Sequence, residues 1–221
     1  MPVAIGTQFI KRGERLYQPL NNFTVIFSAF VLAANIHRRK MGPPRIGSWD
    51  TFNCQQLDIS IKLVTGGPLE YALNDVLPDD IQIEFIKGIP QIAAYSIWAG
   101  GYVYNNRYQV TYGFRSAMIA TVSMIFVTFY QTYVDWLAKH AKKYDNWPPR
   151  WKFARVIRNS VAHGGRISIE KESAPPVSWY GLTYAYANNG REAIGEDLSH
   201  ADMIALMFEM DEELNDAGCP F

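Results

Sequence analysis

A long uncharged stretch constrains the fold more than any other feature of this sequence. Residues 116–134 contain no Asp, Glu, Lys or Arg, and no Gly or Pro interrupts residues 114–144. Because a chain without helix-breaking residues can continue a helix for many turns, the pattern predicts one long helix over 114–144. Its apolar composition predicts that neighbours surround this helix, in a bundle core or at a dimer interface.

The same stretch raises the alternative of a membrane-spanning helix, which needs about 20 apolar residues. Polar side chains recur along it, at Thr121, Ser123, Thr128, Gln131 and Thr132. A helix that faces lipid favours an unbroken series of Leu, Ile and Val instead. We therefore expect no membrane contact, and a small membrane-associated protein is the alternative.

Composition favours a folded protein in a reducing compartment. The chain has 221 residues, of which 48% are hydrophobic and 14% aromatic, so we expect a single domain over 1–221 with a substantial core. Cys54 and Cys219 are the two cysteines, which argues against a disulfide framework and a four-cysteine metal site. The first residues lack the basic and apolar pattern of a secretory signal. These features predict a cytoplasmic location.

Helical periodicity and capping signals predict three further helices. Apolar residues recur at helical spacing over 23–38. A pair of prolines ends the long helix and suits the first turn of the next one, over 149–162. Ser199, with Asp202 three residues later, has the pattern of an N-terminal cap and predicts a fourth helix. Since helices joined by short connections lie antiparallel, we predict an antiparallel helical bundle.

The other segments carry turn and strand signals. Glycines and prolines divide residues 46–113 into short pieces, which we interpret as an irregular insertion. Within it, residues 69–77 predict a short helix and residues 102–112 a hairpin.

Alternating segments at 166–169 and 177–184 predict a small β-hairpin after the third helix. The sequence therefore predicts a mainly α fold, an antiparallel bundle with a small β-hairpin elaboration and an irregular insertion.

Charge is distributed unevenly, although the formal net charge is +0. Residues 139–166 carry eight Lys or Arg residues and one acid, Asp145, whereas residues 192–216 carry nine acids and no Lys or Arg. One interpretation is two solvated faces that partly neutralise each other. The other is a basic surface that attracts phosphate, since local potential matters to a polyanion more than net charge does.

The helix predicted over 149–162 has two different faces when its residues are placed at 3.6 per turn. The side expected to pack inward carries Phe153, Val156, Ile157, Ser160 and Val161. The other side carries Arg155, Arg158, Asn159, Ala162 and His163. Residues four apart stack on one helix face, so the Asn159 amide is placed to orient the His163 imidazole. A Gly-Gly pair then predicts the helix end.

An arginine, an amide and a histidine on one face suit cleavage of RNA without a metal ion. The ribose 2′-hydroxyl attacks the adjacent phosphorus, a histidine transfers the proton, and a guanidinium stabilises the phosphate charge. Two copies around a twofold axis would enclose a basic cleft that contains both histidines. The candidate catalytic residues are Arg158, Asn159 and His163. The candidate RNA contacts are Lys152, Arg155 and Arg166.

This segment resembles the HEPN superfamily, whose motif is an arginine, four to six residues and a histidine, often with a polar residue directly after the arginine. Here the motif reads Arg158-Asn159-Ser160-Val161-Ala162-His163. The resemblance covers about 114–216 and implies a helical bundle that dimerises through the motif helix. Many members of the superfamily are endoribonucleases of toxin, defence or RNA-processing type that need no metal or cofactor, and the resemblance implies the same activity here. Expected partners are a second copy, RNA, and a cognate inhibitor or partner protein.

Two alternatives remain from the sequence. Some HEPN members are inactive, so the chain could be a dimerising interaction module that cuts nothing. Arg158 and His163 could also have a structural role only, at the carbonyl end of the helix. The other histidines and cysteines do not have metal-ligand spacing, and we predict no metal site.

Overall fold

The structure is a computed structural model that describes residues 5–39, 51–63, 79–87 and 108–220. These residues form four α-helices, which are α1 (Tyr17–Arg39), α2 (Tyr108–Ala141), α3 (Pro149–Ala162) and α4 (His200–Asp216). The strands are β1 (Gly6–Lys11), β2 (Thr51–Asn53), β3 (Ile59–Leu63), β4 (Asp80–Lys87), β5 (Val177–Trp179) and β6 (Leu182–Tyr184). Short 3-10 turns cover Tyr144–Asn146 and Tyr186–Asn188. The predicted mainly α fold is confirmed, at about 51% helix among the described residues, and an HEPN-like bundle stays a prediction.

The described residues fall into two compact units. One holds those of Ile5–Asn53 and Asp58–Thr121, and the other holds those of Cys54–Leu57 and Val122–Phe221. Helix α2 contributes residues to both units. The candidate site lies wholly in the second unit, and the single domain over 1–221 stays a prediction.

The first unit contains a four-stranded antiparallel sheet in the order β1-β4-β3-β2. In β4, side chains alternate between buried and more exposed, with Ile81, Ile83 and Phe85 on the buried side. Such alternation buries one face of a strand, and α1 packs against β4. The prediction of an irregular insertion over 46–113 is therefore corrected, because β2, β3 and β4 of this sheet all lie within that range.

Two smaller predictions in this part of the chain have different outcomes. The prediction of a hairpin over 102–112 is wrong for Tyr108 to Tyr112, because these residues form the first turns of α2. The rest of that segment and the short helix over 69–77 lie outside the described residues. Helix α1 begins at Tyr17, before the predicted start at 23.

In the second unit, α3 packs against α4 and against β5. The Trp151 side chain is fully buried and its indole Nε1 donates to the Met210 carbonyl at 3.1 Å. Its ring also lies 5.4 Å from the ring of Tyr130 on α2. Phe153 packs between Trp179 and Tyr184, with ring centroids 5.8 and 5.5 Å away. Aromatic side chains of α3 therefore fix it on three sides.

The small β-hairpin predicted after the third helix is present, but its strands lie at positions that differ from the predicted ones. Both strands lie inside 177–184, where Val177 pairs with Tyr184 around a tight turn at Tyr180 and Gly181. Residues 166–169 form no strand, and Arg166 instead makes an isolated bridge with Glu192. Closing a loop costs more entropy as the loop lengthens, so a two-residue turn favours the local pairing.

The predicted cap of the last helix is confirmed. The Ser199 hydroxyl accepts the N–H of Asp202, and the Asp202 carboxylate accepts the N–H of Ser199. Asp202 is fully buried, and it also accepts the backbone N–H groups of Gln55 and Gln56 at 2.8–3.0 Å. Because these donors satisfy the carboxylate, its burial is tolerated.

Helix α2 is less enclosed in the single chain than its composition predicts. A stripe of its residues stays exposed at Met124, Thr128, Gln131, Thr132 and Asp135, and Met124 is 70% exposed. Ala117–Ala141 contains an 18-residue window with a mean hydropathy of 1.4, so it is long and apolar enough to cross a membrane by length and composition. A helix in the core of a soluble protein meets the same criteria, so this feature is compatible with a soluble protein.

Candidate functional site

The N-terminus of the motif helix α3 is held by an acid from α4. Pro148 provides no side-chain cap, and both carboxylate oxygens of Glu213 lie 3.2–3.3 Å from the backbone nitrogen of Arg150. The first N–H groups of a helix have no partner within it, and negative charge is favourable at this end. Burial raises the pKa of Glu213, and its contacts with Arg150 oppose that change. The acid therefore fixes where α3 begins.

A second acid of α4, Glu209, is the centre of a buried hydrogen-bond cluster. Its carboxylate accepts from Arg150 Nε at 3.1 Å and Trp179 Nε1 at 2.8 Å, and the Tyr180 hydroxyl donates to it as well. Glu209 is 2% exposed. Burial and the bond to Glu209 raise the pKa of the Tyr180 hydroxyl, so it stays a donor. This cluster ties α3, α4 and the β5–β6 turn together.

The C-terminus of α3 ends as the glycine pair predicts. Gly164 and Gly165 have φ angles of 66° and 85°, in the left-handed region that glycine tolerates. The N–H of Gly165 donates to the Ser160 carbonyl at 2.8 Å, and the N–H of His163 donates to the Asn159 carbonyl at 3.2 Å. These bonds satisfy carbonyls that the helix end would leave without partners.

The two-faced character of α3 is confirmed by burial. The inward residues Phe153, Val156, Ile157 and Ser160 are buried, and Val161 is half-buried. On the outward side, Arg155, Ala162 and His163 are exposed, while Arg158 and Asn159 are half-buried. The His163 imidazole makes no hydrogen bond to any residue that the structure describes. A histidine in this position is open to a ligand.

Arg158 is held by a residue that the sequence did not single out for this purpose. With the Gln131 amide oriented so that its oxygen faces α3, that oxygen lies 2.6 Å from Arg158 Nη2 and 2.9 Å from Nε. Arg158 Nη1 donates to Asn159 Oδ1 at 3.3 Å. Asn159 therefore bonds to Arg158 rather than to His163, which differs from its expected role. Two amides fix the orientation of the guanidinium.

Buried Tyr130 lies close to the cations of this face. Burial raises the pKa of Tyr130 to about 12, and the charges of Arg155 and Arg158 act in the opposite direction. The phenol is therefore neutral at ordinary pH and adds no negative charge beneath the guanidinium groups.

The three candidate RNA contacts have different surroundings. The Arg155 guanidinium lies over the Tyr144 ring, 4.8 Å from its centroid, and Lys152 Nζ donates to the Asp145 carbonyl at 2.6 Å. Arg166 donates to the Gly190 carbonyl at 2.9 Å and lies 3.6 Å from a Glu192 oxygen. Arg166 is thus partly neutralised by an acid, whereas Lys152 and Arg155 contact neutral groups.

Among residues 5–39, 51–63, 79–87 and 108–220, no group of three or more His, Cys, Asp or Glu side chains could hold a metal ion. Comparisons of the chain with protein-family models, curated proteins and solved structures found no match. The chemistry of the side chains described above is therefore the basis for assigning a function.

Proposed function

We propose that this protein is a metal-independent endoribonuclease of HEPN type that acts as a homodimer, with α3 of each copy lining the cleft. The observation that supports this most directly is the exposed His163 imidazole, which bonds to no described residue and shares the outward side of α3 with Arg158. Histidine changes charge near neutral pH and can accept or donate a proton during phosphodiester cleavage.

Arg158 keeps donors for a phosphate although two amides hold it. A guanidinium has five N–H donors, and the contacts with Gln131 and Asn159 use three of them. The remaining two can bind phosphate oxygens and stabilise the charge that grows on them. Because Gln131 and Asn159 are neutral, they orient the guanidinium without cancelling its charge.

The proposed reaction breaks one P–O bond and forms another. The 2′-oxygen attacks phosphorus while the His163 imidazole of one copy takes its proton. The 5′-oxygen then leaves and receives a proton from His163 of the second copy, which enters the step as the protonated imidazolium, and the products are a 2′,3′-cyclic phosphate and a 5′-hydroxyl end. Since one copy supplies one exposed histidine on this face, the pair of proton carriers requires the dimer.

Exposed surface next to the site supports a second copy as the partner. Gln131, which holds Arg158, belongs to the exposed stripe of α2 that also includes Met124 and Thr128. On α3, the small side chain of Ala162 is exposed beside His163 and allows a close approach of another helix. Met124 is the apolar residue of this stripe, and its burial against a second copy would contribute to affinity.

Two further expectations belong to the same proposal. The protein acts in the cytoplasm, where RNA is accessible, and both cysteines are free thiols there. A toxin, defence or RNA-processing role calls for control by a cognate inhibitor or partner protein.

A second candidate is a HEPN-like interaction module that dimerises without cutting RNA. Its support is that Arg158 already has intramolecular partners on both sides of its guanidinium, in Gln131 and Asn159. A side chain satisfied within the chain can stabilise α2 against α3 with no ligand at all.

Cleavage in the presence of a chelator separates the two functions. Purified protein is incubated with single-stranded RNA in EDTA, beside Arg158→Ala, His163→Ala and the control Lys171→Ala, which alters an exposed loop lysine. The nuclease predicts cyclic-phosphate ends, loss of cleavage by 10²-fold or more in the two site variants, and no loss in the control. Equal cleavage by all four proteins would rule out the assigned site, and no cleavage by the unaltered protein would favour the interaction module.

A further inference from the structure

We infer that the corner between α2 and α3 binds the phosphates of single-stranded RNA and leads the strand along α3 to His163. The basic corner consists of Lys139, Lys142, Lys143, Lys152 and Arg155. This inference rests on the proposed function, because the RNA that occupies the corner is the strand cut at the α3 face.

A tight turn brings the cations of the basic corner together. Lys142 adopts a left-handed conformation with φ of 61°, and the N–H of Lys143 donates to the Ala141 carbonyl at 2.7 Å. The 3-10 turn at Tyr144–Asn146 follows and lies against α3, where it contacts Lys152 and Arg155. Lysines at the end of α2 are thereby placed beside the cations in the first two turns of α3.

The cations of the basic corner form no ion pair within the described part of the chain, and Asp145 is the acid that lies in the turn among them. Lys139, Lys142 and Lys143 are exposed and form no ion pair there. Arg155 rests on the face of an aromatic ring, which leaves the N–H groups at its edge available for phosphate. Concentrated positive potential attracts a polyanion and accelerates its association.

Two other arginines of the same basic segment, Arg150 and Arg166, have acidic partners within the chain. Arg150 is bonded to the buried carboxylate of Glu209, and Arg166 lies beside Glu192. Both contribute to the basic segment by sequence, yet each already has an acidic partner. This contrast leaves Arg150 and Arg166 out of the phosphate-binding surface, whereas Arg158 belongs to the proposed cleavage site.

The spacing of residues along α3 gives the strand a path. Lys152, Arg155, Asn159 and His163 follow one side of the helix at intervals of three or four residues. From Lys152 to His163 the helix rises about 16 Å. A stacked strand at about 3.4 Å per nucleotide covers this length in about five nucleotides. A short single strand can therefore contact the basic corner and His163 at once.

The surroundings of the basic corner favour RNA over an anionic membrane. Surfaces that bind lipid combine basic residues with exposed Trp, Phe or Leu that enter the interface. Here Trp147 is buried, and Trp136 stacks against His140 with ring centroids 4.8 Å apart. The exposed residues are hydrophilic, which suits phosphate groups in water.

Binding to a fluorescein-labelled 12-nucleotide single-stranded RNA tests the inference, with fluorescence anisotropy as the readout. His163→Ala is the background for every protein, so that the probe is not cut. The corner variant adds Lys142→Ala, Lys143→Ala and Arg155→Ala. A control of equal charge adds substitutions at three other exposed lysines, which are Lys11→Ala, Lys87→Ala and Lys171→Ala. Circular dichroism establishes that each protein is folded.

We expect the corner variant to bind the RNA at least tenfold more weakly than the control. The slope of log affinity against log salt concentration falls by about 2, since each lost phosphate contact on a single strand contributes about 0.7. Equal binding by the corner variant and the control overturns the inference. So does binding of phosphatidylserine vesicles, in place of RNA, that depends on the same three residues.

Cleavage of RNA by the unaltered protein, measured beside these binding experiments, separates this inference from the proposed nuclease. If the unaltered protein cuts no RNA but binding still depends on the basic corner, the nuclease is wrong and the corner assignment stands. If RNA is cut at His163 but binding ignores the basic corner, the inference is wrong and the nuclease stands.

Discussion

Replacing Glu209 by alanine is expected to destabilise the unit that contains α3 by about 3–4 kcal/mol, because the change leaves buried donors without an acceptor. The Trp179 indole N–H is buried and loses its partner, at a cost of about 1–3 kcal/mol. The Arg150 guanidinium loses its nearest carboxylate and retains only that of Glu213, whose Oε1 lies 4.0 Å from Arg150 Nη1. The Tyr180 hydroxyl also loses its acceptor, and because this residue is 42% exposed, the side chain can turn toward water and offset part of that loss.

Urea unfolding followed by tryptophan fluorescence measures this effect. With a urea slope of about 2 kcal/mol/M, the transition midpoint should fall by about 1.5–2 M. Glu209→Gln keeps one acceptor oxygen but places amide hydrogens among donors, so an intermediate loss of about 2 kcal/mol is expected.

Glu212→Ala is the matched control for this experiment. It removes a carboxylate from the same helix at an exposed position that forms no hydrogen bond or ion pair among the described residues, so its cost should stay below about 0.5 kcal/mol. If Glu209→Ala shifts the midpoint no more than Glu212→Ala does, the reasoning about the buried cluster is refuted.

Two further predictions concern α2. Gln131→Leu removes the acceptor that holds Arg158, so we expect about tenfold slower RNA cleavage. The control Gln18→Leu makes the same change at an exposed glutamine of α1 that is bonded to Asn22, and it should leave the rate unchanged. Equal rates for the two variants would contradict the role of Gln131. The second prediction concerns the phenol of Tyr130, whose pKa is raised to about 12 in the folded protein and is about 10 in the unfolded chain. The neutral phenol therefore contributes about 3 kcal/mol to the free energy of unfolding. This contribution is complete below pH 10 and is lost as the pH rises through 12. Unfolding measured from pH 9 to 12 should therefore show a smaller loss of stability for Tyr130→Phe than for the unaltered protein, and parallel curves would show that burial of this phenol is not the cause.

The features that the sequence predicted well are those with local signals. Helix α3 spans Pro149–Ala162 as predicted, because proline restricts the backbone at its start and two glycines permit the left-handed turn at its end. The cap at Ser199 needs a partner only three residues away. Helix periodicity likewise identified the inward residues of α3.

The features that were missed depend on residues distant in the chain. Strand β1 pairs Gly6 with Phe85, and no pattern within either strand specifies the other. Gln131 holds Arg158 because α2 and α3 bring these side chains together, which helix periodicity cannot predict. Glu209 belongs to an acidic segment that suggested a solvated face, yet it is buried because an arginine and two aromatic donors from other elements surround it.

The carboxylate of Asp202 also imposes an order on the assembly of this unit during synthesis. It joins α4 to the N–H groups of Gln55 and Gln56, which precede it by 147 and 146 residues. On the ribosome, α3 emerges before α4, so the acids that cap and clamp α3 arrive after the helix that carries His163. Because Glu209 and Glu213 belong to α4, the contacts that hold the N-terminus of α3 can form only after α4 has emerged and docked.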